Sequence, residues 1–232
     1  MRPILIFILT FISAFLFGQG FSYPSITTKG KQVKDFIPAG WMILDSARGD
    51  LNKDNLPDAA IILQHKDSIS IVKDIEDTVI IRPRILILLF KNKADNSFEL
   101  IQQSNSFILM HDSPAMDDPF DELNIYAGIL EIKFRLFYNM GSWYVSTASY
   151  KFRYQKGEFV LIGADSFSLH RATMDFEEYS YNFLTKKRNL TKGNESTGKK
   201  KTMWKALGIS PLKTLKTFTE PFTWEIEPDK YL

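Results

Sequence analysis

The sequence contains no cysteine, which excludes a disulfide scaffold and a lipid-modified cysteine anchor. It also lacks an excess of either charge: 29 Lys and Arg against 27 Asp and Glu leave a net charge of +2. That balance argues against the overall basicity of a nucleic-acid binder. The 232 residues are 44% hydrophobic, which is enough to bury a core and excludes general disorder.

Few residues suited to catalysis stand in a recognisable pattern. The three histidines, His65, His111 and His170, are far apart in the sequence, and none has the spacing of a zinc motif. There is no G-x-S-x-G element, so a hydrolase of that class has no support. The segment Gly193–Lys199 nearly matches a phosphate-binding loop, but Lys200 follows where Ser or Thr is required. A flexible basic loop is the favoured interpretation.

Residues 1–20 predict a signal peptide. The apolar run 4–17 is broken by only two hydroxyl residues and is too short to span a bilayer comfortably. Gly18 and Gly20 would occupy positions −3 and −1 of a cut before Phe21. An uncleaved N-terminal anchor is the alternative. We therefore expect a secreted or periplasmic protein with no stable membrane insertion after cleavage.

The remaining residues, 21–232, predict a single all-β domain. We expect mainly an antiparallel meander sheet or sandwich, with little helix beyond a short turn at 203–207. The clearest pattern is an aromatic and β-branched stretch, 123–184, punctuated by Gly-containing turns, which predicts consecutive antiparallel strands. Earlier apolar runs predict further strands at 41–44, 59–63, 79–81, 85–90 and 98–101. The aromatic-rich C-terminal tail should dock on the sheet, because its rings would otherwise remain in water.

Three polar segments read as loops: 65–78, 111–122 and 185–201. The segment 111–122 is acidic. Paired carboxylates there could hydrolyse a glycoside or bind a second ion. A solvated acidic loop is the simpler interpretation. Its acids are Asp112, Asp117, Asp118, Asp121 and Glu122. The third segment is basic and could meet lipopolysaccharide or an acidic glycan, or form a solvated hairpin tip.

The spacing of oxygen-bearing residues at 50–58 predicts a calcium-binding loop. Oxygen-bearing side chains occupy positions 1, 3, 5 and 9 of a loop, which is the front of the EF-hand spacing, and the position-7 backbone carbonyl would add another ligand. The predicted Ca²⁺ ligands are Asp50, Asn52, Asp54, Leu56 and Asp58. Position 12 is Ile61 instead of a bidentate Glu, so this is not a true EF-hand. An Asx-rich hairpin turn with no ion is the alternative.

The stretch GDLNKDNLPDAAIIL resembles the calcium-loop element of FG-GAP and VCBS repeats, with Asn55 in place of the usual Gly. The resemblance implies a Ca²⁺ ion between two strands of an extracellular protein, and a single copy cannot build a propeller. Other short pieces resemble a group of secreted bacterial β-rich proteins with which no activity is associated. They are DPF at 118–120, GSW at 141–143, FRYQ at 152–155, LIG at 161–163 and NFLT at 182–185.

These observations predict an exported, non-enzymatic β-sheet module with one structural calcium site, binding a protein or a glycan. The alternative is an envelope polysaccharide hydrolase that uses carboxylates of the acidic loop. A deep cleft holding two carboxylates about 5–9.5 Å apart would favour the hydrolase, and a closed sheet without such a cleft would favour the binding module.

Overall fold

A computed structural model describes residues 21–74 and 77–232, so the predicted signal peptide, 1–20, lies outside the described residues. Strands dominate this part of the chain. In chain order they are β1 (Lys29–Gly30), β2 (Trp41–Gly49), β3 (Asp58–His65), β4 (Ile69–Asp74), β5 (Asp77–Ile81), β6 (Arg84–Lys91), β7 (Phe98–Ser104), β8 (Phe120–Tyr126), β9 (Ile129–Phe137), β10 (Tyr144–Gln155), β11 (Glu158–His170), β12 (Asp175–Asn182), β13 (Lys187–Asn194), β14 (Lys199–Ala206), β15 (Glu225–Glu227) and β16 (Lys230–Tyr231).

The all-β prediction is confirmed. The strands form antiparallel sheets, and the described residues add a single short 3₁₀ helix, Val33–Phe36. Nowhere in 21–74 or 77–232 is there a helix long and apolar enough to cross a membrane.

The larger sheet has seven strands in the order β14-β13-β12-β11-β10-β9-β8, each antiparallel to the next. The meander predicted for 123–184 is therefore confirmed. The run 125–138, which reads as one strand in the sequence, is divided between β8 and β9. Ala127 and Gly128 make the turn with φ of 49° and 74°, the left-handed backbone that tight hairpins use.

The five-stranded sheet has the order β1-β7-β6-β3-β2, and its central strands β3 and β6 are buried on both faces. Alternate residues of β3 and β6 point to opposite sides, so each strand needs an unbroken apolar run. One side faces the large sheet and forms the main core through Ala60, Ile62, Leu86 and Leu88. The other side forms a second core with the N-terminal segment, where Ile26, Phe36 and Trp41 cover Ile61, Leu63, Ile85 and Ile87.

The C-terminal segment packs into the main core. Leu207, Leu215, Phe218 and Leu232 are buried there, and Trp224 packs against them. The Phe218 ring lies 5.6 Å from that of Phe107 and 5.4 Å from that of Tyr150. The aromatic surface of this segment is thus removed from water, which is the main energetic reason for the segment to be ordered.

Two predicted loops are wrong. Residues 65–78 contain β4 and the start of β5, because Ile69 and Ile71 alternate with serine in a strand pattern. Residues 185–201 contain β13 and the start of β14, which also includes most of the predicted helical turn at 203–207. β14 is an edge strand exposed on both faces, so it accepts lysines where a covered strand would need apolar residues. The acidic segment stays irregular until β8 begins at Phe120.

Candidate metal centre

The predicted calcium loop connects β2 to β3, which pair as an antiparallel hairpin. Leu51, the second residue of the loop, is fully buried in the main core. On the other side, Gly49 lies so close to β8 that a Cβ there would stand 3.1 Å from Ile125 Cβ and closer still to its Cγ2. The core and the large sheet therefore fix both the position and the entry angle of the loop.

Asp50 organises the loop through its carboxylate. Oδ1 accepts hydrogen bonds from the amides of Lys53 (2.7 Å) and Asp54 (3.1 Å), and Oδ2 accepts one from the amide of Asn55 (2.9 Å). Lys53 and Asn55 have φ of 67° and 66°. Asn tolerates this left-handed conformation better than most residues, which accounts for its presence where Gly is usual.

Asn52 and Asp54 extend the same hydrogen-bond network. Asn52 Oδ1 accepts from the Asp54 amide (3.0 Å), and Asn52 Nδ2 donates to Asp54 Oδ2 (3.1 Å). Asp54 Oδ1 accepts from the amide of Leu56 (2.8 Å). The structure thus brings together the oxygen-bearing side chains at positions 1, 3 and 5, as the spacing predicts.

Asp58 occupies a different position, because its side chain is buried at the start of β3. Oδ2 accepts from the amides of Leu51 (2.9 Å) and Asn52 (3.3 Å), and Oδ1 accepts from the amide of Lys91 in β6 (2.9 Å). Burial raises the pKa of this carboxyl, three backbone hydrogen bonds oppose that shift, and the nearby charge of Asp54 adds to it. Asp58 therefore anchors the loop to the neighbouring strand.

The loop contains one cationic residue, Lys53, beside its three aspartates. Within the described residues, no Lys, Arg or His forms an ion pair with Asp50, Asp54 or Asp58. The same part of the chain contains no group of three His, Asp or Glu side chains that converges to hold a metal. An ion bound here would therefore also need the Asn52 amide oxygen and a backbone carbonyl. The predicted ligand set contains both, and the all-oxygen chemistry fits Ca²⁺.

Three carboxylates of the acidic segment, 111–122, contact side chains from other parts of the protein. Asp118 makes a two-point contact with Arg84, whose side chain is only 4% exposed and also donates to Gln64. Burial alone would raise the pKa of Asp118, but the Arg84 hydrogen bonds hold it below the ordinary value. Glu122 pairs with Lys133 at 2.6 Å, and Asp112 accepts a hydrogen bond from the Tyr138 hydroxyl at 3.0 Å. These three carboxylates thus make structural contacts.

The three histidines belong to different parts of the fold. His65 packs against Trp41 in the second core, and His111 contacts the carbonyl of Ile80. His170 ends β11, as its strand-like surroundings in the sequence suggest.

A second site was missed by sequence reasoning. A groove of about 980 Å³ lies over the ends of β10 to β13, with the C-terminal residues 229–232 as one wall. The sequence shows that alternate residues from Tyr144 to Tyr154 share a face. It does not show that the C-terminal segment covers only half of this face and leaves the other half open to solvent. That segment is distant in the chain, so no local pattern reveals where it packs.

A scan against protein-family models, a search of curated proteins and a search of solved structures each return no significant match to this chain. The resemblance of the 50–58 loop to a calcium-loop element stays a prediction carried by the residues of the loop.

Proposed function

We propose that this protein is an exported, non-enzymatic β-sandwich module that holds one structural Ca²⁺ in the β2–β3 loop and binds a protein or a glycan outside the cytoplasm. The observation that carries the proposal is the network of Asp50, Asn52 and Asp54, whose two carboxylates and one amide oxygen lie together in a tight loop. Carboxylate and amide oxygens at this spacing are ligands that Ca²⁺ takes in proteins. The apolar leader sequence supports export.

The ion would be held by the side-chain oxygens of Asp50, Asn52 and Asp54 together with the carbonyl of Leu56. Asp58 would contribute its buried negative charge and keep the loop in shape. Ca²⁺ would balance the charge of the loop carboxylates and takes six to eight oxygens, so water would complete its coordination. Its role is structural, because the loop joins two strands of the five-stranded sheet.

The alternative, a polysaccharide hydrolase, draws less support. A glycosidase needs one carboxyl with a raised pKa that can donate a proton. In the acidic segment the pKa of Asp118 is lowered, and Glu122 is paired with a lysine. These contacts favour the binding role over the hydrolase.

Thermal melting of the purified protein in Ca²⁺ and in EDTA tests the calcium site. Extracellular calcium modules bind with dissociation constants of about 10⁻⁴–10⁻³ M. At about 1 mM Ca²⁺ and the tight end of that range, binding adds about 1.4 kcal/mol to the free energy of unfolding. For a domain of this size we expect the melting temperature to rise by about 3–6 °C.

Two variants make this experiment specific. Asp54→Ala should abolish the difference between Ca²⁺ and EDTA. Asp95→Ala removes an aspartate from an ordinary Asx turn, where its carboxylate accepts only from Ser97, and should keep the full difference. Equal melting temperatures for the unmodified protein in both solutions would leave the loop as an Asx-rich turn.

A further inference from the structure

We propose that the groove beside the C-terminal hairpin β15–β16 is a carbohydrate-binding site for a neutral oligosaccharide. This inference rests on the proposed binding function and deepens it, because it names a site and a ligand class. The volume, about 980 Å³, is at the upper end of the range of small-molecule sites. A second concavity, on β9 to β12, has a volume of about 250 Å³.

Serine hydroxyl groups form part of the floor of the groove. Along β10 and β11, the covered half of the face carries large apolar side chains such as Tyr150 and Phe152, whereas the open half carries serines. Ser146 and Ser168 are direct cross-strand partners whose hydroxyls lie 3.1 Å apart, and Ser166 lies beside them. The small side chains make the surface concave and line it with groups that both donate and accept hydrogen bonds.

Exposed aromatic rings stand at two sides of this floor. Tyr144 is 52% exposed and its ring lies 4.9 Å from that of His170, while Tyr231, on the C-terminal wall, is 53% exposed. His170 is held in place because its Nδ1 accepts a hydrogen bond from the Thr173 amide (3.2 Å). Rings with one face in water offer apolar surface to the C–H faces of sugar rings.

Carboxylates held by hydrogen bonds also line the groove. Lys192 donates to Glu177 and lowers its pKa, and Asn194 donates to Asp175 at 2.8 Å and lowers its pKa. Both groups are therefore ionised at neutral pH and only accept hydrogen bonds. They can accept hydrogen bonds from the hydroxyl groups of a sugar.

The groove chemistry favours a glycan over a peptide. A peptide that adds a strand needs the unpaired edge of a sheet, but this groove lies on the face of β10–β13, whose backbones are paired on both sides. An anionic ligand would meet Asp175, Glu177 and Asp229, while Lys192 and Lys230 are already paired with Glu177. Alternating apolar faces and hydroxyl edges match a neutral oligosaccharide.

Isothermal titration of the full folded protein tests this proposal with cellohexaose, xylohexaose, maltohexaose, laminarihexaose and chitohexaose, and with heparin as a polyanion. We expect saturable binding of at least one neutral oligosaccharide. Tyr144→Ala and Tyr231→Ala should each weaken it about tenfold, since each removes one stacking face. Ser168→Trp, which fills the floor, should abolish it. Tyr126→Ala, an exposed tyrosine outside the groove, is the matched control and should bind normally.

Absence of binding to every neutral oligosaccharide by folded protein overturns the proposal. So does binding that the three groove variants leave unchanged, or binding of heparin alone, which would point to the lysines of β14. The melting experiment in Ca²⁺ and EDTA contains no sugar. The proposal of a calcium site and the proposal of a carbohydrate site can therefore be contradicted independently.

Discussion

The buried carboxylate of Asp58 shows how one residue joins the loop to the sheet. It accepts hydrogen bonds from two loop amides and from Lys91 in β6. Asp58→Asn would direct an amide NH₂ at one of these donors and leave a buried N–H without an acceptor. We predict that the free energy of unfolding falls by about 1–3 kcal/mol, measured by urea denaturation. Asp95→Asn, in an exposed turn, should change it little, and equal losses for both would refute this role.

Asp118 gives a pH-dependent prediction. Its folded pKa is lowered, so its contribution to stability is complete above the ordinary aspartate value of about 3.8 and is lost as pH falls through the lowered folded value. Because Asp118 is half exposed, we expect Asp118→Asn to cost only about 1–2 kcal/mol at neutral pH. Denaturation curves of the two proteins should converge in acid. A gap that stays constant across the acid range would contradict the ion-pair explanation.

At the scale of elements, the contact between Gly49 in β2 and Ile125 in β8 joins the edges of the two sheets immediately before the loop. We predict that Gly49→Ala destabilises the fold by about 1–3 kcal/mol through overpacking. Ile125→Ala in the same chain should recover part of that loss, because it removes the methyl group that clashes. The check is a double-mutant cycle by urea denaturation, and strictly additive effects would show that the two strands do not meet as described.

How far the sequence predicts each element depends on how many of its faces are covered. β3 and β6 are buried on both sides and show unbroken apolar runs, so they are readily predicted. β14 is exposed on both sides, and its Lys199, Lys200 and Lys201 give no strand pattern. Its register comes from pairing with β13, which a local pattern cannot reveal. The hairpin at Ala127 was missed because apolar residues continue on both sides of a two-residue turn.

For the whole molecule, the two candidate sites differ in how they could be found. The loop ligands lie within nine consecutive residues, so their spacing alone predicts that they meet. The groove joins β10–β13 to residues 229–232, and only the folded C-terminal segment creates its wall. The division of the large sheet into a covered half and an open half is thus a tertiary property, which is why the open half was not predicted.

The central claim is that the β2–β3 loop binds Ca²⁺, and an NMR titration of backbone amides tests it most directly. The amides of Lys53, Asp54 and Asn55 donate to Asp50 and should report any ion that the carboxylate binds. Starting from EDTA-treated protein, we predict saturable shifts of these resonances with a dissociation constant of about 10⁻⁴–10⁻³ M, absent in Asp54→Ala. Loop resonances that do not move up to about 10 mM Ca²⁺, well above that range, would contradict the account.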